Sequence, residues 1–129
     1  MPEVIYQTRE NLYPRFGLAI KKAMRLNPRS PNWYFTTLGD AYVWAQRYNE
    51  ALGEYSNAVQ NSPGYLLAYL GLTATYSLLG NEKEATETAA KVLSIDPKFS
   101  LDRYEKSLPN KEHADKERFI GALRKAGLK

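Results

Sequence analysis

Apolar residues recur along this chain at helical spacing, segment after segment. The first stripe is Leu12, Phe16, Ile20, Ala23 and Met24, at i, i+4 and i+7 or i+8 intervals. Pro14 suits the first turn, where a missing N–H costs nothing. Asn27 precedes Pro28 and is driven out of the α region, so this helix should end near Leu26. The same reading predicts helices at about residues 32–45, 48–61, 66–79 and 82–95. Gln46-Arg47 interrupts the first pair and Gly80-Asn81 the second, while Ser62-Pro63-Gly64 and Asp96-Pro97 close each pair. Ser100 is placed to cap a short helix at about 101–107, stopped by Leu108-Pro109. A last helix at about 112–126 carries Phe119, Ile120, Leu123 and Ala126 on one face, with Gly127 as a left-handed cap. Residues 1–10 keep no sustained period.

The two central pairs say nearly the same thing, 34 residues apart. Phe35 falls on Tyr69, Leu38 on Leu72, Tyr42 on Tyr76, Ala51 on Ala85 and Pro63 on Pro97. Self-similarity at this period is the mark of a stacked helical repeat. Antiparallel helices joined by a short turn approach closely only over small residues, which Gly39, Ala51, Ala58 and Ala85 supply. Phe35, Tyr42, Tyr55, Tyr69 and Tyr76 fill the space beside them.

This pattern resembles the tetratricopeptide repeat, whose unit favours a large residue, Leu-Gly, Tyr, Ala, an aromatic, Ala and a closing Pro. The first copy meets every position with Phe35, Leu38-Gly39, Tyr42, Ala51, Tyr55, Ala58 and Pro63. The second has Tyr69, Leu72, Tyr76, Ala85 and Pro97, but Thr73 replaces Gly, Ala89 the aromatic and Val92 the Ala. Those departures predict a looser second hairpin. The resemblance implies an all-α helical stack in a single domain. Residues 11–31 read as a half repeat, 32–65 as repeat one, 66–99 as repeat two and 100–129 as helices capping the open end.

The tail carries a narrower resemblance. Leu108-Pro109 followed by Leu123-Arg124-Lys125-Ala126-Gly127-Leu128 is similar to the ending of repeat tails on bacterial multidomain adenylate cyclases and related signalling regulators. Ala23-Met24-Arg25-Leu26-Asn27-Pro28 fits the same group. Such a tail implies a regulatory or interaction segment, with no nucleotide or metal role.

Composition changes this picture little. The 129 residues suffice for one domain with a real core, and the net charge is +4. Residues 1–30 hold six Lys/Arg against two Asp/Glu, residues 31–99 four against seven, and residues 100–129 eight against five. The repeated block is therefore acidic and the flanks basic. A nucleic-acid reader concentrates its cations along one face, so solvated helix faces are the better account. There are no cysteines and no run of 18 apolar residues, and the first residues lack the pattern of a signal peptide. The cytoplasm is the expected compartment.

Chemistry is hard to find. The one histidine, His113, sits beside Glu112 and Asp115 at a helix start, as surface residues do. Glu82, Glu84 and Glu87 favour a helix dipole rather than acid–base work. Phosphate loops, nucleophile elbows and metal spacings are missing, so neither an enzyme nor a cofactor is expected.

The resemblance implies instead that the first helix of each repeat lines a partner-binding groove. By position this gives Trp33, Thr36, Asp40, Val43 and Trp44, then Leu67, Leu70, Ala74, Ser77 and Leu78. The two indoles have a rival role, packing on the Phe16/Ile20 helix or on the last helix. Read as a site, the groove is aromatic and aliphatic with Asp40 as its one charge, suited to an apolar or amphipathic segment of a protein or peptide. Family members that hold the C-terminal carboxylate of heat-shock chaperones use Lys, Asn and Arg where this chain has Thr36, Asp40, Gly71, Leu101 and Glu105. A basic ligand near Asp40 fits better than an acidic one. The Phe16/Ile20 face lacks a cover from a preceding helix, which predicts a homodimer through that end. Two functional readings follow: a scaffold or adaptor, and a regulatory tail of a signalling enzyme or its regulator.

Overall fold

A computed structural model describes residues 32–108 and 113–129, together with Lys22. Among the described residues there are six helices and no strand: α1 (Asn32–Trp44), α2 (Tyr48–Asn61), α3 (Leu66–Leu79), α4 (Glu82–Ile95), α5 (Leu101–Ser107) and α6 (His113–Lys125). The predicted helix at 12–26, its Phe16/Ile20 face and the homodimer expected there lie outside the described residues. The chain divides into two compact units, residues 1–63 and 64–129, with the division at the boundary between the repeats. In the first unit α1 packs on α2; in the second α3 packs on both α4 and α6, and α5 on α6.

Three helices end in the same way. After α1, the Gln46 N–H donates to the Val43 carbonyl at 2.9 Å and the Arg47 N–H to Tyr42 at 2.8 Å. After α3, Gly80 donates to Ser77 at 3.1 Å and Asn81 to Tyr76 at 2.9 Å. After α6, Gly127 donates to Arg124 at 3.0 Å and Leu128 to Leu123 at 3.2 Å. This pair of bonds defines the Schellman motif, which needs a left-handed residue at its centre. The central φ values are 62° at Gln46, 83° at Gly80 and 111° at Gly127. Gln46 and Gly80 hold the same repeat position, yet only Gly80 adopts it without steric cost. Gln46→Gly should therefore raise stability by about 1 kcal/mol and Gly80→Gln lower it by about the same, the penalty of a β-carbon in this region. Paired urea titrations check both signs.

Side-chain capping appears where Ser was placed to provide it. The Ser100 hydroxyl accepts from the Arg103 N–H at 3.3 Å and starts α5. The Leu101 N–H donates to the Lys129 carbonyl at 2.7 Å, which ties the start of α5 to the end of the chain.

The two hairpins solve the same crossing differently. In the first, Gly39 lies under the Tyr55 ring, so closely that an added β-carbon would sit 2.6 Å from Tyr55 Cε1. Tyr55 is fully buried. In the second, Thr73 stands at the Gly39 position, Ala89 at the Tyr55 position and Val92 at the Ala58 position. All three are buried. The Thr73 hydroxyl donates to the Tyr69 carbonyl at 2.7 Å and lies 3.0 Å from the Thr88 hydroxyl. Thr88 in turn reaches the Glu84 carbonyl at 2.9 Å. The second hairpin thus keeps these positions buried with different residues, a larger side chain on α3 at the Gly39 position and a smaller one on α4 at the Tyr55 position.

In α3, every residue from Ala68 to Thr75 is buried, and Ser77 as well. Its packing against α4 and α6 accounts for cover on more than one side. From α6 and the residues after it, Phe119, Ile120, Ala122, Leu123, Ala126 and Leu128 are buried. A terminal helix covering the open apolar side of a repeat is what such a stack requires at its end.

Candidate functional site

Helix α1 turns one stripe outward. Residues 33, 37, 40 and 44 follow at steps of four, three and four, which keeps them on one face of a 3.6-residue helix. Trp33 is 51% exposed, its ring edge-on to Tyr34 with centroids 4.3 Å apart. Asp40 is exposed, and Thr37 and Trp44 are half-buried. Trp33 therefore stands largely in water, whereas Trp44 is partly covered and engaged in further contacts.

A second helix fixes the charge on this stripe. The Tyr55 hydroxyl, reaching across from α2, donates a short hydrogen bond to Asp40 Oδ1. The ring that packs on Gly39 and the oxygen that orients Asp40 belong to one side chain. Asp40 is the only charged residue of α1. Beyond the helix, Arg47 lies over the Tyr42 ring at 5.2 Å and pairs with Glu50 at 2.8 Å.

The other expected groove residues are placed less openly. Thr36 is buried and its hydroxyl donates to the Trp33 carbonyl at 3.2 Å, within its own helix. Val43 is buried too. In α3, Leu67 is 47% exposed and Leu78 half-buried, but Leu70 is only 1% exposed, and Ala74 and Ser77 are covered. Trp33 and Leu67 hold the same position in the two repeats, 34 residues apart, and both face solvent. At the positions compared with chaperone-binding repeats, Thr36, Gly71 and Leu101 are buried and Glu105 half-buried.

Among the described residues no group of three or more His, Asp or Glu is arranged to hold a metal ion. Glu82, Glu84 and Glu87 are exposed on the first two turns of α4. His113 opens α6, and its side chain lies outside the described residues. No helix among the described residues is long and apolar enough to cross a membrane.

Sequence reasoning missed Tyr55 as the partner of Asp40, having assigned it to packing alone. A signal existed: Tyr55 is the repeat's large aromatic opposite Gly39, and the next residue of α1 is Asp40. A phenol laid over a glycine carries its hydroxyl past that point. Thr37 was also overlooked, although the helical period places it beside Trp33 and Asp40.

Comparison with known proteins agrees with this architecture. Hsp70-Hsp90 organizing protein 3 of Arabidopsis thaliana is 34% identical over 62 residues, 48% of this chain and 11% of that protein. The chain thus matches about a tenth of that relative's length. The profile of the family described as Tetratricopeptide repeat matches residues 42–106, from the last turn of α1 through α2, α3 and α4 into α5. With that match over half of its length, and paired helices repeating every 34 residues, the chain belongs to the tetratricopeptide-repeat family.

Proposed function

We propose that this chain is a non-catalytic protein-interaction module that binds an apolar or amphipathic segment of a partner through the first helices of its repeats. The observation that carries the reading is the outward stripe of α1, with an indole 51% exposed at one end and a carboxylate along it. Exposed aromatic residues of this kind are the usual anchors of protein contacts. The exposed Leu67 at the equivalent position of α3 extends the same logic to the second repeat. Leu70, Ala74 and Ser77 belong to the reading only as support beneath the surface, since they are covered. The name of that relative speaks of organising two chaperones, which supports protein partners as a class. The burial of Thr36, Gly71 and Leu101 speaks against a chaperone carboxylate as the ligand here.

The test is a pull-down from extract of the source cells with Trp33→Ala/Leu67→Ala as the comparison. Both side chains are exposed, so helicity should stay at the wild-type level while capture falls at least about tenfold, as expected for loss of anchor residues. Equal capture by the two proteins removes the surface from the proposal.

A second reading is a regulatory tail on a signalling enzyme in the cytoplasm of a bacterium. It rests on the resemblance of the ending Leu123-Arg124-Lys125-Ala126-Gly127-Leu128 to the tails of such proteins. Reading the coding DNA on either side of this segment separates the two: a continuous frame into a cyclase-like domain favours the tail.

A further inference from the structure

The last part of the chain carries a charge pattern that the first helices do not use. Lys98 and Arg103 flank the start of α5, while Arg124, Lys125 and Lys129 stand at the end of α6 and just beyond it; all five are exposed. The fold gathers them at one corner of the second unit. Helix α5 packs on α6. The Schellman turn at Gly127 folds the chain back after Arg124, and the Leu101 N–H then donates to the Lys129 carbonyl at 2.7 Å. Leu101 and Leu128, on the two sides of this junction, are both buried. On the α5 side the Arg103 guanidinium donates to the Lys98 carbonyl, and the rings of Phe99 and Tyr104, the next residues along, lie 6.0 Å apart. The backbone that carries these cations is therefore braced.

We propose that this corner binds an acidic segment of a partner protein, rich in Asp or Glu, by charge complementarity. It is built from other residues than the outward positions of α1 and α3, so the inference goes beyond the reading above. Two observations carry it. Among the described residues, none of the five side chains is held in an ion pair; Asp102, the acid in the first turn of α5, pairs with Lys106 at 3.3 Å. Nor do helix dipoles account for the cluster. They favour Arg124 and Lys125 in the last turn of α6, but they disfavour Arg103, which stands in the first turn of α5. A protein segment suits the corner better than a nucleic acid does. Phe99 and Tyr104 are half-buried and paired with each other, so no ring lies open for a base to stack on. Glu82, Glu84 and Glu87, exposed in the same unit, oppose a long phosphate backbone that runs beyond the cations.

The probe is an acetylated Glu-rich dodecapeptide, with Gln-rich and Lys-rich counterparts, added to the isotope-labelled full chain and followed by amide NMR shifts. The Glu peptide should shift residues 98–103 and 124–129 above all, and the other two should leave them in place. Raising salt from about 50 to about 300 mM should weaken Glu-peptide binding several-fold, since exposed charges are screened. Arg124→Gln/Lys125→Gln should lower its affinity about fivefold to tenfold, the combined worth of two exposed charge pairs. Lys83→Gln/Lys116→Gln removes the same net charge elsewhere, at the starts of α4 and α6. Lys116 lies about 12 Å along α6 from Arg124, beyond the screening length, so this control should change affinity less than about twofold. Circular dichroism checks that both variants keep the parent helicity; if either does not, the peptide series, shift map and salt series on the parent decide alone. Equal binding of the Glu and Gln peptides, no shift at millimolar peptide, or equal losses in the two double variants overturns the proposal. An oligothymidylate of equal length that shifts the same amides at lower concentration than the Glu peptide overturns the protein partner in favour of nucleic acid. The pull-down with Trp33→Ala/Leu67→Ala reads different residues, so either surface can fail without the other.

Discussion

Tyr55→Ala should cost about 3–5 kcal/mol, the range for truncating a large buried aromatic. Set against the 5–15 kcal/mol of a typical domain, that is a large share of the whole. The side chain is fully buried over Gly39 and also holds Asp40, so both packing and a hydrogen bond are lost. The reciprocal change is informative. Gly39→Ala replaces the poorest non-proline helix former with the best, a gain of about 1 kcal/mol in isolation. Here the new β-carbon would sit 2.6 Å from a ring with no room to swing, so overpacking of about 1–3 kcal/mol should win. The double variant Gly39→Thr/Tyr55→Ala imports the solution that the second hairpin uses at Thr73 and Ala89. It should be more stable than the sum of the two single changes by about 1–3 kcal/mol, the size of coupling between residues in contact. Urea unfolding of the four proteins gives the cycle directly, and strict additivity would show that the two crossings are not equivalent.

The second large effect is expected at the far end of the chain. Leu123 is fully buried on α6, the helix that packs against α3 and α5. Leu123→Ala should cost about 2–5 kcal/mol, depending on how far the site collapses around the missing atoms. Leu93, on α4, is 41% exposed, so Leu93→Ala provides the control and should stay within about 0.5 kcal/mol of the parent. Thermal unfolding of both variants tests the assignment. A neutral Leu123→Ala would mean that α6 is an ornament on the repeats and not their cover.

Most of the architecture was legible in the residues because it is set locally. Proline after α2 and α4, the Ser100 cap and Gly at 80 and 127 act within a few residues of themselves. The limits of the six described helices accordingly fall within one residue of those read from the sequence. Trp33, Asp40 and Leu67, named through family position, are exposed in the structure. The cover over Leu70, Ala74 and Ser77 was not legible. It belongs to a helix packed on two partners, one of which, α6, begins more than thirty residues after α3 ends. Family position assigns a residue to a face without saying whether another element lies on it. A clue was present in the sequence of α3, Leu-Leu-Ala-Tyr-Leu-Gly-Leu-Thr-Ala-Thr-Tyr-Ser-Leu-Leu, which is apolar nearly all round. A helix with no polar side is a buried helix. The Asp40–Tyr55 bond was out of reach for a different reason, because it depends on the height at which two helices cross.

That crossing also bears on how a chain with two similar hairpins avoids confusing them. During synthesis or refolding, α1 could meet α4, or α3 could meet α2, since each wrong pair matches in length and period. The wrong pairs do not fit. Gly39 opposite Ala89 leaves a void where Tyr55 belongs, and Thr73 opposite Tyr55 puts a branched side chain into a ring. A void and a clash both cost free energy that the correct partners avoid. Divergence at two facing positions thus acts as a lock between cognate helices, and it discourages the domain-swapped assemblies to which tandem repeats are prone. It also sets the unit that can be moved between proteins: the hairpin travels whole, the single helix does not.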